Sequence, residues 1–316
     1  MLAVLFDGKT ASLTERPKPR CAKGEALVAV RTAGVCGTDL EVLKGYMGFR
    51  GVMGHEFVGT VAEGPSQWVA KRVVAEINCV CGRCDMCTSG LSNHCRNRSV
   101  VGIDRRDGVF AEYVALPVAN LHQVPGNLDD ATAVFVEPLA AAMQVLRQVK
   151  TEGAGGVVVI GDGRLGQLVA RVLKSAGARC VLVGKHENKL EAAEKQGIET
   201  VLAGEFVPMA KADVVVEASG AAGGLELALR TVRPRGTIAL KSTFAGAGPN
   251  LAPLVVNEVT VIGSRCGPFP DAIASLAAGK VDVSALVSRR FPLTNALEAL
   301  DAAKRPENIK VLIDVQ

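Results

Sequence analysis

The apolar run Val157–Ile160 ends in Gly161-Asp-Gly163-Arg-Leu165-Gly166, and the residues that follow read as a helix to about Ala176. A lone Gly-x-Gly-x-x-Gly is a weak signal, because a tight turn in any α/β protein can produce it. Between a buried strand and a helix it has the context that gives it meaning. Gly161 then makes the turn, Gly163 lets a pyrophosphate approach the backbone, and Gly166 allows the helix to pack closely on the strand. The helix N-terminus contributes unpaired N–H groups and the positive end of its dipole. A dinucleotide is the ligand this arrangement expects, with Gly161, Gly163, Leu165 and Gly166 at its phosphates.

The pattern repeats downstream. Strands are expected at Cys180–Val183, Val214–Val216, Thr237–Leu240 and Val259–Ile262, with helices at Asn188–Lys195 and Leu225–Thr231. Such alternation with short connections implies a parallel, doubly wound sheet. The first part differs: Ala26–Val30, Val58–Ala62, Lys71–Glu76 and Ala111–Leu116 read as strands among long loops. Asp129 and Asp130 are placed to cap one helix over Ala131–Lys150. After Gly263, helices near Asp271–Ala278 and Asn295–Ala303 and a strand at Lys310–Val315 are too few for a third domain. They are expected to return to the first. Domains are therefore expected at 1–130, completed by 266–316, and at 131–265; 316 residues suit two cores better than one.

The net charge of +4 is spread without a basic run or a recognised nucleic-acid module, so no nucleic-acid partner is expected. The N-terminal apolar stretch is interrupted by Asp7 and Lys9, and the most apolar segment, Ala131–Leu146, contains Glu137 and Pro138. Neither reads as a signal peptide or a membrane span. The expected location is the cytoplasm, where nine cysteines stay reduced and clustered ones read as metal ligands.

Four cysteines cluster as Cys81-x2-Cys84-x2-Cys87-x7-Cys95. Zn²⁺ takes four thiolates in a tetrahedron, and short spacings let one loop wrap the ion. Gly82 and Gly90 supply turns. Four thiolates leave no position for water, so this zinc would be structural. Cys79 and His94 stand beside the set and could replace one ligand; four free cysteines or a dithiol redox pair are the other readings.

A second constellation is spread along the chain: Cys36 in GVCGTD, His55 and Glu56 in MGHEFVG, Glu137 in FVEPLA. Each alone has an ordinary explanation, as a small hydrophobe, a satisfied polar group or a helix-turn carboxylate. In order, however, CGTD, GHE, the cysteine lobe, DGVFAEYV and VEPLA resemble the zinc-containing medium-chain dehydrogenases, over Met1 to Gln316. The EPLA form is similar to the sorbitol/threonine dehydrogenase branch. The resemblance implies a GroES-like β-rich catalytic domain with a Rossmann domain, and one zinc in each constellation. Cys36, His55 and Glu137 would hold the catalytic zinc, with Glu56 a nearby or exchangeable ligand and one position left open for water or substrate.

It further implies that zinc polarises the oxygen of an alcohol or polyol, lowering its pKa, while hydride passes to the nicotinamide ring of NAD(P). Thr38 would relay the proton and Asp39 would orient His55. Many relatives carry a histidine five residues beyond the zinc cysteine; this chain has Glu41, so the relay would end in a carboxylate or water. The loops after Gly45 and around Pro65–Trp68 are shorter than in typical members, which would open the cleft to a bulkier substrate. Phe49, Phe110 and Phe269 are candidate wall residues, and Arg265 a candidate cleft cation. An enoyl reductase of the same superfamily and a non-catalytic dinucleotide-binding protein are the alternative functions.

An NAD enzyme usually ends its second strand with an acid that binds the ribose hydroxyls. Here Gly184 stands there, followed by Lys185 and His186. The loss of the acid and the gain of Lys185 point to NADP over NAD. The strand at Val259–Ile262 is where relatives pair, so a homodimer or homotetramer is expected.

Overall fold

The computed structural model describes residues 1–151, 153, 155–243 and 248–315. Glu152, Ala154 and 244–247, inside the expected 131–265 domain, and Gln316 at the end of 266–316 lie outside the described residues. By its internal contacts the chain divides into two compact units. One comprises Met1–Glu137, Ile273–Ala278 and Val287–Gln316; the other comprises Pro138–Ala272 and Gly279–Leu286.

The first unit is β-rich. Its seven-stranded sheet is built around the strand Glu25–Val35, which pairs antiparallel with Glu56–Glu63, Tyr113–Pro117 and Lys310–Asp314. Most of Glu25–Val35 is buried, which is why it reads as a near-continuous apolar run rather than a strict alternation. Register carries the consequence for function. Gly34 lies opposite both Glu56 and Leu312, and Val35 opposite Val311. The residues next in each strand, Cys36, His55 and Lys310, are thereby brought to one end of the sheet.

Gly34 is required there. A Cβ would stand 2.7 Å from Lys310 Cε and from Val134 Cγ1, and 2.8 Å from Glu56 Oε2. Phe49 and Phe110 belong to this unit's core, at 4% and 0% exposure, and pack rather than line a cleft. Phe269, in the second unit, is equally buried.

The single helix expected over Ala131–Lys150 is two, Asp130–Ala133 and Val136–Gln148. Asp129 caps the first, its Oδ1 accepting the Thr132 N–H at 2.7 Å. The break has a local cause. In one continuous helix the ring of Pro138 would meet the Val134 carbonyl, and no N–H would answer it. Restarting at Val136 puts Pro138 in a first turn, where its missing donor is not needed.

The second unit is a six-stranded, all-parallel sheet. From edge to edge its strands are Glu199–Leu202, Cys180–Gly184, Val157–Ile160, Ala212–Glu217, Val232–Leu240 and Thr260–Gly263. Numbered along the chain, that order is 3-2-1-4-5-6, the doubly wound arrangement expected from the alternation. Val157–Ile160 is central and wholly buried. Among the described residues no helix is long and apolar enough to cross a membrane.

Candidate functional site

Cys36 follows the central strand of the first unit and caps the short helix Gly37–Val42. The sulfur of Cys36 and ligand atoms of His55 and Glu56 all lie within 4.8 Å of one another. Three ligating groups at that spacing can share one ion, and a thiolate, an imidazole and a carboxylate suit Zn²⁺. Glu137 opens the helix Val136–Gln148, half-buried, and is not one of the three atoms in that cluster.

Asp39 ties the site together. Its Oδ2 accepts the Cys36 N–H at 2.7 Å, and its Oδ1 lies 3.1 Å from His55 Nδ1. Nδ1 being turned to Asp39, Nε2 is the ring atom left to ligate. Asp39 and His55 are both buried. Burial works against a charged His55, but the Asp39 carboxylate and the Cys36 sulfur outweigh it and raise its pKa well above the ordinary value. For Cys36 burial pushes the thiol up, and the neighbouring His55 overrides this to bring it down to about 6. A sulfur held toward its thiolate form is a metal-binding sulfur. Thr38 Oγ1 lies 3.8 Å from the Cys36 sulfur.

Glu56 has a partner the sequence did not suggest. Its Oε2 accepts a hydrogen bond from the Lys310 ammonium, and both side chains are about 1% exposed. Lys310 also lies over the Phe135 ring, 5.6 Å from its centroid. Burial depresses the Lys310 pKa to about 8, against the upward pull of the Cys36 and Asp39 charges. The one sequence signal for Lys310 was a lysine opening an apolar terminal strand. Glu41 points elsewhere: its Oε1 accepts from Lys44 Nζ at 2.8 Å across one helical turn.

The four cysteines of the lobe converge. Sγ–Sγ separations are 3.5 Å for Cys84–Cys87, 3.8 Å for Cys84–Cys95 and 3.5 Å for Cys81–Cys95. A tetrahedron with Zn–S bonds of about 2.3 Å has edges of about 3.8 Å, so this spacing fits the ion. The charge balance agrees. Backbone N–H groups of Arg83 and Cys84 pull Cys81 down to about 6, whereas desolvation and the sulfurs of Cys84 and Cys95 drive Cys87 up to about 12. All four sulfurs could be thiolates at this spacing only with a cation between them. Cys79 and His94 are not in the group.

In the second unit the fingerprint turn has the expected construction. Gly161 has φ +114°, and a Cβ on it would meet Ala218 O at 2.6 Å. A Cβ on Gly166 would fall on Gly161 O. A Cβ on Gly163 would meet nothing within 4 Å beyond its chain neighbours, so space lies open there at the N-terminus of the helix Arg164–Ser175. A pyrophosphate fits a backbone left bare in this way. Leu165 is half-buried on the first turn of that helix, and Lys185 is exposed after Gly184.

Residues 22–126 match the alcohol dehydrogenase GroES-like domain family and residues 165–278 the zinc-binding dehydrogenase family. A sorbitol dehydrogenase of Halalkalibacterium halodurans is 31% identical over 96% of this chain and 95% of its own length. Among solved structures, a zinc-binding dehydrogenase of Sinorhizobium meliloti 1021 bound to NADP has a TM-score of 0.91 at 27% identity, covering 99% of both chains. An alcohol dehydrogenase of Escherichia coli CFT073 complexed with NADH has a TM-score of 0.90 at 25% identity, over 100% of this chain and 99% of its own.

Proposed function

Since the chain belongs to the zinc-containing medium-chain dehydrogenases, an NAD(P)-dependent group that transfers hydride to and from alcohols, we propose that it oxidises a polyol or another secondary alcohol, or reduces the matching ketone, at Cys36, His55 and Glu137. The observation that carries this reading is the meeting of Cys36, His55 and Glu56 ligand atoms within 4.8 Å, braced by Asp39. Zinc, when bound, supplies Lewis acidity toward the substrate oxygen.

The chain's own residues do the rest. Cys36, His55 and Glu137 hold the ion, and Asp39 fixes the His55 ring so that Nε2 faces it. Thr38 Oγ1, beside the Cys36 sulfur, relays the proton that leaves the substrate hydroxyl, accepting it while its own proton passes on to water. Glu56, held by Lys310, stands in reserve as an exchangeable ligand. Cys81, Cys84, Cys87 and Cys95 hold a second, structural zinc. Gly161, Gly163, Leu165, Gly166, Gly184 and Lys185 line the dinucleotide.

Several finer assignments belong to the same proposal. The functional division is 1–130 with 266–316 as the catalytic domain and 131–265 as the dinucleotide domain, supported by Cys36, His55 and the cysteine lobe in the first and the fingerprint in the second; Glu137 stands just past the boundary, at the end of the first compact unit's main segment. The cytoplasm is the location, supported by nine free cysteines, four of them converging as metal-competent thiolates. The protein is a homo-oligomer, dimer or tetramer, supported by the terminal strand Thr260–Gly263. It ends the sheet order with Val261 40% exposed, and Val255 and Val256 of the helix that precedes it in the chain are more exposed still. A sheet edge of that kind is commonly covered by another chain. Of the two dinucleotides, NADP is supported by the exposed Lys185 after Gly184.

The test is a panel of polyols, other secondary alcohols and their ketones, followed by absorbance of the reduced nicotinamide. Turnover of at least one class, abolished in Cys36→Ser, is the expected result. No turnover of any class by zinc-loaded protein would reject the proposal.

A further inference from the structure

The acid missing from the end of the second strand of the parallel sheet has been supplied from elsewhere. Asp162 occupies the first variable position of the fingerprint, between Gly161 and Gly163, and is buried. Its Oδ2 accepts two backbone N–H groups, from Lys185 and His186, each at 2.7 Å. His186 Nδ1 lies 3.1 Å from Oδ1 and 3.0 Å from Oδ2. The carboxylate of the first strand's turn is thus seated at the C-terminal end of the second strand, where the helix Glu187–Glu194 begins.

This explains Gly184 differently from an open pocket. A Cβ there would stand 2.5 Å from Asp162 Cβ, 2.6 Å from Asp162 Oδ2 and 2.7 Å from Leu190 Cδ2. The glycine makes room for the Asp162 side chain. It is not a vacancy left for a phosphate.

We infer that Asp162 is the residue that discriminates between the two nicotinamide dinucleotides, and that it selects NAD(H) against NADP(H). The inference rests on reading the fingerprint turn as the dinucleotide site. In a doubly wound sheet the adenosine ribose lies at the end of the second strand. There the two amides that a 2′-phosphate would use are filled by the protein's own anion. A phosphate arriving beside it meets a like charge in a partly desolvated place, where screening by salt is weak. Lys185 offers less in return, since its exposed ammonium is already solvated and screened. A ribose hydroxyl has the opposite relation to Asp162: it donates, and carboxylate oxygens have lone pairs to spare.

The test is equilibrium binding of NADH and NADPH to the zinc-loaded protein, read from nucleotide fluorescence. Wild type is expected to bind NADH at least about tenfold more tightly than NADPH. Asp162→Asn keeps an oxygen able to accept both amides and removes the charge, so it is expected to bring the two affinities within about threefold of each other. The double variant Asp162→Gly with Gly184→Asp removes the Cβ that would stand 2.5 Å from the new one, returns the acid to the strand end and is expected to restore the preference for NADH. Tighter binding of NADPH by wild type, or an unchanged ratio in Asp162→Asn, overturns the assignment. Binding of neither nucleotide by folded wild type rejects the dinucleotide site itself, and the role of Asp162 with it.

Discussion

Asp39 is the residue on which the candidate catalytic zinc most depends without touching it. One carboxylate serves the Cys36 backbone and the His55 ring at once. A carboxylate that orients a ligating histidine is typically worth about 10–100-fold in metal affinity. Asp39→Asn is expected to weaken zinc retention by that order in competition with a chelator, with an unchanged far-UV spectrum; full retention would show that His55 needs no such support. Glu41→Ala should leave the zinc content intact, because that carboxylate is engaged with Lys44. Gly34→Ala would drive a methyl into Lys310, Val134 and Glu56. Overpacking of this kind costs about 1–3 kcal/mol, so a clear fall in thermal midpoint is expected, and an unshifted midpoint would mean the buried pair gives way freely. At this scale the sequence was legible where chemistry is local, as in the three fingerprint glycines. It was silent on Lys310 and Asp162, whose roles arise from strands remote along the chain.

Among the elements, the cysteine lobe has little buried core of its own, so the proposed zinc would do most to hold it. It contains a four-residue helix, Asp85–Thr88, and one turn of 3₁₀ helix, Ser92–His94, with Cys95 its one buried residue between Cys81 and Cys95. Structural zinc supplies folding free energy outright to such segments. Removing the metal is expected to open 81–95 to proteases while the seven-stranded sheet stays protected; cleavage spread evenly over the chain would count against an independent lobe. Helix and strand assignments from the sequence held best for buried, periodic segments such as Val157–Ile160. The edge strand Glu199–Leu202 was missed because ETVL is short and has no fully buried residue, so it carries no burial pattern. Val287–Pro292 was missed for the same reason. The broken helix at Pro138 was foreseeable from the proline itself.

For the whole molecule, two compact units follow from a change of sequence pattern near residue 130, where irregular strands give way to regular strand–helix alternation. What that pattern could not supply was register. Which residues of Glu56–Glu63 and Lys310–Asp314 face Gly34 is decided by long-range pairing, and that pairing assembles Cys36, His55 and Glu56. At this scale the strand Thr260–Gly263 carries the prediction of assembly. Sedimentation of the native protein should show a dimer or tetramer, and Val261→Lys should shift it toward monomer; a wild-type monomer would refute the assignment. In the proposed function two metal centres would divide the work: an ion at Cys36 and His55 would enable hydride transfer, while an ion in the lobe would not. The direct measurement is zinc content and reduced nicotinamide formed, in the same samples, for wild type and Cys36→Ser with an alcohol that wild type oxidises. The expected result is the loss of one of two zinc ions together with the activity; an active variant lacking that ion would contradict this division.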